Sequence, residues 1–261
     1  MNRSIPILMY HQIGPQTHPS FTKYTVTPRA FALQMAWLML ARYVPITFDR
    51  LLAWRAGQGR LPERAVIITF DDGFQGCDDY AVPTLLSRGF TAVFYIVAGL
   101  AGRTSRWLIA ERGVEFPLMD WATIRRLEAT GFQCGAHTMS HPRLPELPML
   151  ACRQELEASK RLLEDQLGHE VRDMAYPFGS FDERVRELAA EAGYRSACTV
   201  QIGRSPGDDD PLALHRIPIL GSDTLLDFIC RLESAWPLRD TLRHSAGSTR
   251  RWLLRKLAAT G

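Results

Sequence analysis

Two short segments of this chain hold acids and bases at spacings that chemistry can use. In Thr69-Phe70-Asp71-Asp72-Gly73, two carboxylates stand side by side at the end of the β-branched run Ala65–Phe70. Adjacent carboxylates repel each other, and a cation with further ligands would relieve that repulsion. Gly73 then lets the backbone turn sharply. In His137-Thr138-Met139-Ser140-His141, two imidazoles stand four residues apart after another apolar run, Phe132–Ala136. That spacing brings both rings to one side of a helical turn or tight loop, and Pro142 prevents a helix from continuing. One carboxylate and two imidazoles make an open metal site. Zinc hydrolases leave its remaining position to water, and non-haem iron oxygenases use the same ligand types. The second aspartate favours hydrolysis, because it can take the proton of an activated water. Read singly, an Asp-Gly pair is an ordinary solvated turn and each histidine an ordinary loop residue. The weight comes from the two motifs occurring together.

Two further segments end apolar runs with polar or turn-forming residues. Ala175-Tyr176-Pro177-Phe178-Gly179 reads as a rigid turn that could aim a backbone N–H at a developing oxyanion. His11 follows Leu8-Met9-Tyr10. Alone, the first is a plain strand-to-helix connection and the second a structural histidine.

The elements that must position these residues alternate regularly. Strands are expected at Ile5–Tyr10, Ala65–Phe70, Phe90–Val97, Phe132–Ala136, Asp173–Tyr176, Tyr194–Thr199 and Leu214–Ile219. Helices are expected from Thr27-Pro28 to Leu40, then at Asp78–Arg88, Asp120–Thr130, Met149–Leu167, Asp182–Ala192 and Thr224–Ser234. This alternation argues for an α/β fold with a parallel sheet, and the number of units favours closure into a barrel. Active sites in such folds gather at the carboxyl ends of strands, where all four segments fall. Two long connections, His11–Val26 and Ala98–Met119, are expected to shape the site.

Composition excludes several alternatives. The 261 residues are 46% hydrophobic and 23% charged, ordinary for one globular domain. The net charge of +3 is unevenly placed: residues 237–261 carry +5, which leaves −2 on the first 236. A mildly acidic body without a basic, aromatic-studded stripe argues against nucleic acid and suits a neutral partner. Cys77, Cys134, Cys152, Cys198 and Cys230 are odd in number and never form a CxxC pair, so free thiols in a reducing compartment are expected. The first residues lack a long apolar segment, so the expected location is the cytoplasm. In the tail, Arg250, Arg251, Arg255 and Lys256 flank Trp252, Leu253, Leu254 and Leu257. Such a basic amphipathic stretch could rest on the inner face of a membrane, and a solvated tail is the plain alternative.

Taken together, the four segments resemble the polysaccharide deacetylase family, also known as the NodB-homology domain or carbohydrate esterase family four. Its motif TFDDG is complete at Thr69–Gly73 and its motif H-[ST]-x-x-H at His137–His141, and the resemblance runs from about Ile5 to Ile219. It implies a single-domain deformed (β/α) barrel of about seven strands, taken here as residues 1–236 with a basic tail at 237–261. It also implies a divalent metal, most often zinc, and removal of acetyl groups, chiefly N-acetyl, from an amino-sugar glycan or glycan precursor. Asp71 would be the general base, and Asp72, His137 and His141 the metal ligands. The family's third motif, Arg-Pro-Pro-Tyr-Gly, is altered: Ala175 stands where an arginine steadies the base, and Arg172 is a nearby substitute. The N–H of Phe178 would still face the oxyanion. For the general acid there are two candidates. His215, in Leu212-Ala213-Leu214-His215, echoes the late Leu-x-His motif. His11, in Met9-Tyr10-His11-Gln12-Ile13, resembles a branch that includes deacetylases of biofilm poly-N-acetylglucosamine, where an early histidine is the acid. His11 is preferred, since Arg216 beside His215 would oppose its protonation. The lost arginine also motivates a non-catalytic glycan-binding protein on the same fold. Hydrolysis of other linear or cyclic amides is a third reading.

Overall fold

The computed structural model describes residues 3–238 and 240. In chain order its elements are β1 (Ile7–Tyr10), β2 (Gln12–Ile13), β3 (Thr25–Val26), α1 (Pro28–Leu40), β4 (Val44–Pro45), α2 (Phe48–Arg55), β5 (Ala65–Phe70), α3 (Val82–Leu86) and β6 (Val93–Ile96). There follow α4 (Trp107–Arg112), α5 (Trp121–Ala129), β7 (Gln133–Ala136), α6 (Met149–Leu167), β8 (Asp173–Ala175), α7 (Glu183–Glu191), β9 (Ser196–Ile202), β10 (Leu214–Pro218) and α8 (Leu225–Ser234). The basic amphipathic stretch expected at 250–257 lies outside the described residues.

The strands close on themselves. β1 pairs with β5 on one side and β10 on the other, and β5 to β10 pair in sequence, all parallel. The result is the expected (β/α) barrel of seven strands. It is deformed in three places. Two-residue β4 adds to the start of β5, β7 meets β8 at one registered pair, Ala136 with Met174, and the register slips between β9 and β10.

Strand alternation divides the core in two. Ile7, Ala65, Ile67, Val93, Tyr95, Ala175, Cys198 and Leu214 face the barrel interior, and α2 closes its lower end with Phe48 and Leu51. The other strand faces, with Leu8, Val66, Ile68, Phe70, Phe94 and Ala136, bury the surrounding helices. Sequence reading omitted α2, which is eight residues long and carries only two fully buried anchors. The interior is narrow: a Cβ on Gly135 would come within 2.7 Å of the Tyr95 ring.

Helix starts follow the local chemistry. Thr27, Asp120 and Asp182 each accept a backbone N–H at the first turn, and Thr224 with Asp227 forms a reciprocal cap. The expected helix 78–88 is instead a π-turn at Cys77–Ala81 running into short α3. Gly76 explains the local tightness, since a Cβ there would lie 2.5 Å from the Ile13 carbonyl oxygen. All five cysteines are unpaired. No helix among the described residues is long and apolar enough to cross a membrane.

Candidate functional site

The carboxyl ends of β5 and β7 bring Asp72, His137 and His141 together. All three side chains are buried, and they offer one donor atom each, within 4.8 Å of one another. The Asp72 carboxylate Oδ1 lies 3.1 Å from His141 Nε2 and 3.4 Å from His137 Nε2. His137 Nδ1 is 2.7 Å from the Ala175 carbonyl. That oxygen can only accept, so Nδ1 carries a hydrogen and Nε2 is the ring nitrogen turned towards Asp72. His141 Nδ1 is buried without a hydrogen-bond partner among the described residues. Trp107 stacks on the His141 ring at 4.4 Å and Phe178 meets it edge-on at 4.5 Å, which fixes the plane of the imidazole. A carboxylate and two aimed imidazoles fit a divalent cation of the zinc type, with a further position left for water or substrate.

The backbone is bent to make this cluster. Asp72, Thr138, His141 and Phe178 all have positive φ, between 58° and 75°, as does Gly73 at 71°. A non-glycine residue in this region costs about 1 kcal/mol or more. Local bonds hold the loop there. The His141 N–H donates to Thr138 Oγ1 at 3.1 Å, and Glu155 on α6 accepts from the N–H groups of Met139 and Ser140 and from the Ser140 hydroxyl, at 2.6–3.0 Å. The N–H groups of Ala98 and Gly99 reach the Thr138 and Met139 carbonyls at 3.0 Å.

Asp71 lies beside the cluster and is held from an unforeseen direction. Arg216 on β10 donates to both its oxygens, at 2.6 and 2.7 Å, and to Thr69 Oγ1 and the Thr199 carbonyl at 3.2 and 2.8 Å. Burial raises the proton affinity of Asp71, but the charge and hydrogen bonds of Arg216 outweigh it, so the carboxyl stays below its ordinary pKa. Asp72 is also buried, yet hydrogen bonds from His137 and His141 hold its carboxyl far below the usual range. Arg172 does not take the place of the arginine replaced by Ala175. Its partners are Glu170 and Asp49 at the surface. Arg216 supplies that contact; strand alternation gives the inward direction of its side chain but not the partner it meets. Leu214 faces the interior, so Arg216 does too.

The same alternation turns His215 outward. Its Nδ1 is 3.0 Å from Asp209, and it does not line the cavity at the site, so the late Leu-x-His resemblance does not bring it to the reacting groups. His11 does line that cavity, together with Asp71, Asp72 and Phe178. Burial lowers the His11 pKa, and the charges of Asp72 and Asp71 oppose the shift. Its carbonyl accepts from the Cys77 thiol at 2.9 Å, which anchors the turn after β1. The cavity is about 550 Å³, and both long connections wall it: Phe21, Lys23 and Tyr24 from one, Trp107, Glu111 and Arg112 from the other.

Known proteins resemble the chain in sequence and in fold. The chain is 26% identical to the Bacillus subtilis protein YxkH over 82% of its own length and 71% of the relative's. It is 21% identical to a poly-beta-1,6-N-acetyl-D-glucosamine N-deacetylase of Staphylococcus epidermidis, over 74% and 68%. Among solved structures, the Streptococcus pyogenes deacetylase PplD shares the fold at a TM-score of 0.78 and 22% identity, covering 89% of this chain and 99% of that one. A polysaccharide deacetylase of Bacillus cereus matches at 0.75 and 25%, over 88% and 69%. The family profile for polysaccharide deacetylases matches residues 58–197, the stretch holding Thr69–Gly73, His137–His141 and the altered third motif. A closed parallel barrel, the two motifs meeting at its rim and this match together make the chain a member of the polysaccharide deacetylase family.

Proposed function

We propose that the protein is a metal-dependent hydrolase of N-acetyl groups on an amino-sugar glycan, with zinc as the metal. The observation that carries this reading is the pairing of a three-donor set, Asp72, His137 and His141, with an ionised Asp71 clamped by Arg216 in the same cavity. The named activity of the Staphylococcus relative supports an N-acetylated sugar as substrate. A divalent ion held by those three residues would polarise the acetyl carbonyl and make water more acidic.

The chain's own residues do the rest. Asp71 takes the proton of the attacking water, and Arg216 keeps that carboxylate ionised and aimed. The N–H of Phe178, in a turn bent to φ 58°, stabilises the negative oxygen that forms on the carbonyl. His11 donates a proton to the departing amine nitrogen. Trp107 and Phe178 screen His141 from water. The replaced motif arginine, which would fit a non-catalytic binder, has its counterpart in Arg216.

Acetate release from N-acetylglucosamine oligomers, measured with and without added zinc, tests the reading. Asp71→Asn should retain the metal and lose about 10²–10⁴-fold in rate, whereas Asp72→Ala should lose the metal as well. Zinc-loaded wild-type protein that releases no acetate from any N-acetylated sugar would refute it.

A further inference from the structure

The cavity wall beside His11 carries charges that hydrolysis of the acetyl group leaves unused. Tyr24 is its centre, with its ring against the His11 imidazole at 5.2 Å. The Arg112 guanidinium lies over the Tyr24 ring at 4.8 Å and donates to its hydroxyl at 3.1 Å. The Lys23 ammonium stands 5.4 Å from the same ring centroid. Lys23 and Arg112 are both exposed and line the cavity. Neither has a carboxylate partner among the described residues. Several other cavity charges are matched: Arg143 pairs with Glu111 at 3.0 Å, Arg231 with Asp223 at 2.9 Å, and Asp71 with Arg216, while Asp240 adds a carboxylate to the cavity lining. Two cations gathered on one aromatic ring repel each other, and an anion between them converts that repulsion into binding.

We infer that the glycan accepted here carries an anionic group, a phosphate ester or a carboxylate, on or next to the N-acetylated sugar, and that Lys23 and Arg112 hold it. The inference rests on the deacetylase reading proposed above. In that reading His11 faces the departing amine nitrogen, so the wall beyond His11 faces the sugar. Phe178 and Trp107, around His141, face the acetyl carbon. Tyr24 presents a ring face to the sugar between the two cations. An unpaired Lys-Arg pair on the sugar side selects the charge of the glycan without touching the bond that breaks.

The test compares three probes on zinc-loaded protein: neutral N-acetylchitotetraose, the same oligomer as its reducing-end 1-phosphate, and a hyaluronan tetrasaccharide, which supplies carboxylates. The preferred anionic probe should exceed the neutral one about tenfold in kcat/KM, mostly through KM, and the advantage should shrink as salt is raised. The phosphate and hyaluronan arms identify which anion is read. In the double variant Lys23→Gln, Arg112→Gln, the anionic-to-neutral ratio should fall towards one. Equal kcat/KM for all three probes in the wild type would overturn the inference, as would an advantage that survives in the double variant. Calorimetric titration of the same probes separates the two claims. Tighter binding of an anionic probe without acetate release from any probe refutes the deacetylase reading alone. Acetate release with equal affinities refutes the anionic site alone.

Discussion

At the scale of single residues, the decisive side chain is Arg216. It is fully buried and its charge is answered by one carboxylate, Asp71. Removing one partner of a buried ion pair strands the other in a low dielectric, at about 3–5 kcal/mol. Arg216→Ala should lower the urea midpoint by that equivalent. Arg216→Lys keeps a charge but replaces a fork by a point, so it should recover much of the stability and little of the acetate release. An Arg216→Ala protein with wild-type stability would show that the pair does not hold Asp71. Asp173 offers a pH test remote from Asp72, His137 and His141. It is buried at the start of β8, where it accepts from the Ser196 hydroxyl at 2.6 Å, and burial lifts its carboxyl pKa to about 6. The folded state therefore binds more protons than the unfolded chain between about pH 4 and pH 6. The stability from this group is present below about pH 4 and is lost as pH rises through about 6. Asp173→Asn should accordingly stabilise the protein by up to about 3 kcal/mol at pH 7.5 and by almost nothing at pH 4. Urea unfolding at both pH values checks this, and an equal gain at each would exclude titration as the cause.

At the scale of elements, the site is built from strand ends and kept in shape in part by a helix, α6, that lies outside the cavity. Glu155 is the clearest case. From α6 it gathers three donors of the loop carrying Met139, Ser140 and His141, whose left-handed residues have no regular secondary structure to hold them. Glu155→Ala should loosen that loop and weaken zinc affinity by about 10–100-fold, as losses of supporting contacts around metals commonly do. Competition with a zinc-binding dye would measure it, and unchanged affinity would mean that Thr138 and the Ala98–Gly99 contacts hold the loop unaided. Much at this scale was legible in advance. Ala65–Phe70 is buried along its whole length and reads as a strand because both faces are apolar. Glu155 was not legible, because a glutamate on a long amphipathic helix looks like any solvated one.

At the scale of the whole molecule, the ring decides what meets what. Both ligand motifs could be recognised because each is contiguous, and strand ends in an α/β fold converge. The Asp71–Arg216 pair was hidden because its members are 145 residues apart and come from strands flanking a third, β1. Only closure through the β1–β5 and β1–β10 pairings puts them face to face. The outward turn of His215 and the lower plug of α2 were likewise matters of assembly. The two walls, Phe21–Tyr24 and Trp107–Arg112, sit in segments that periodicity leaves blank, and the charge of the cavity mouth depends on them.

Closure has a consequence for ancestry. A closed ring of parallel strands has no first member, so where a gene begins and ends is independent of which side chains converge at the rim. A histidine after the first strand and an arginine on the last are neighbours here in the same sense as any two adjacent strands. Relatives could therefore recruit an acid or a clamp from opposite ends of their chains and still present one constellation. Position around the barrel, and not order along the sequence, decides which side chains meet.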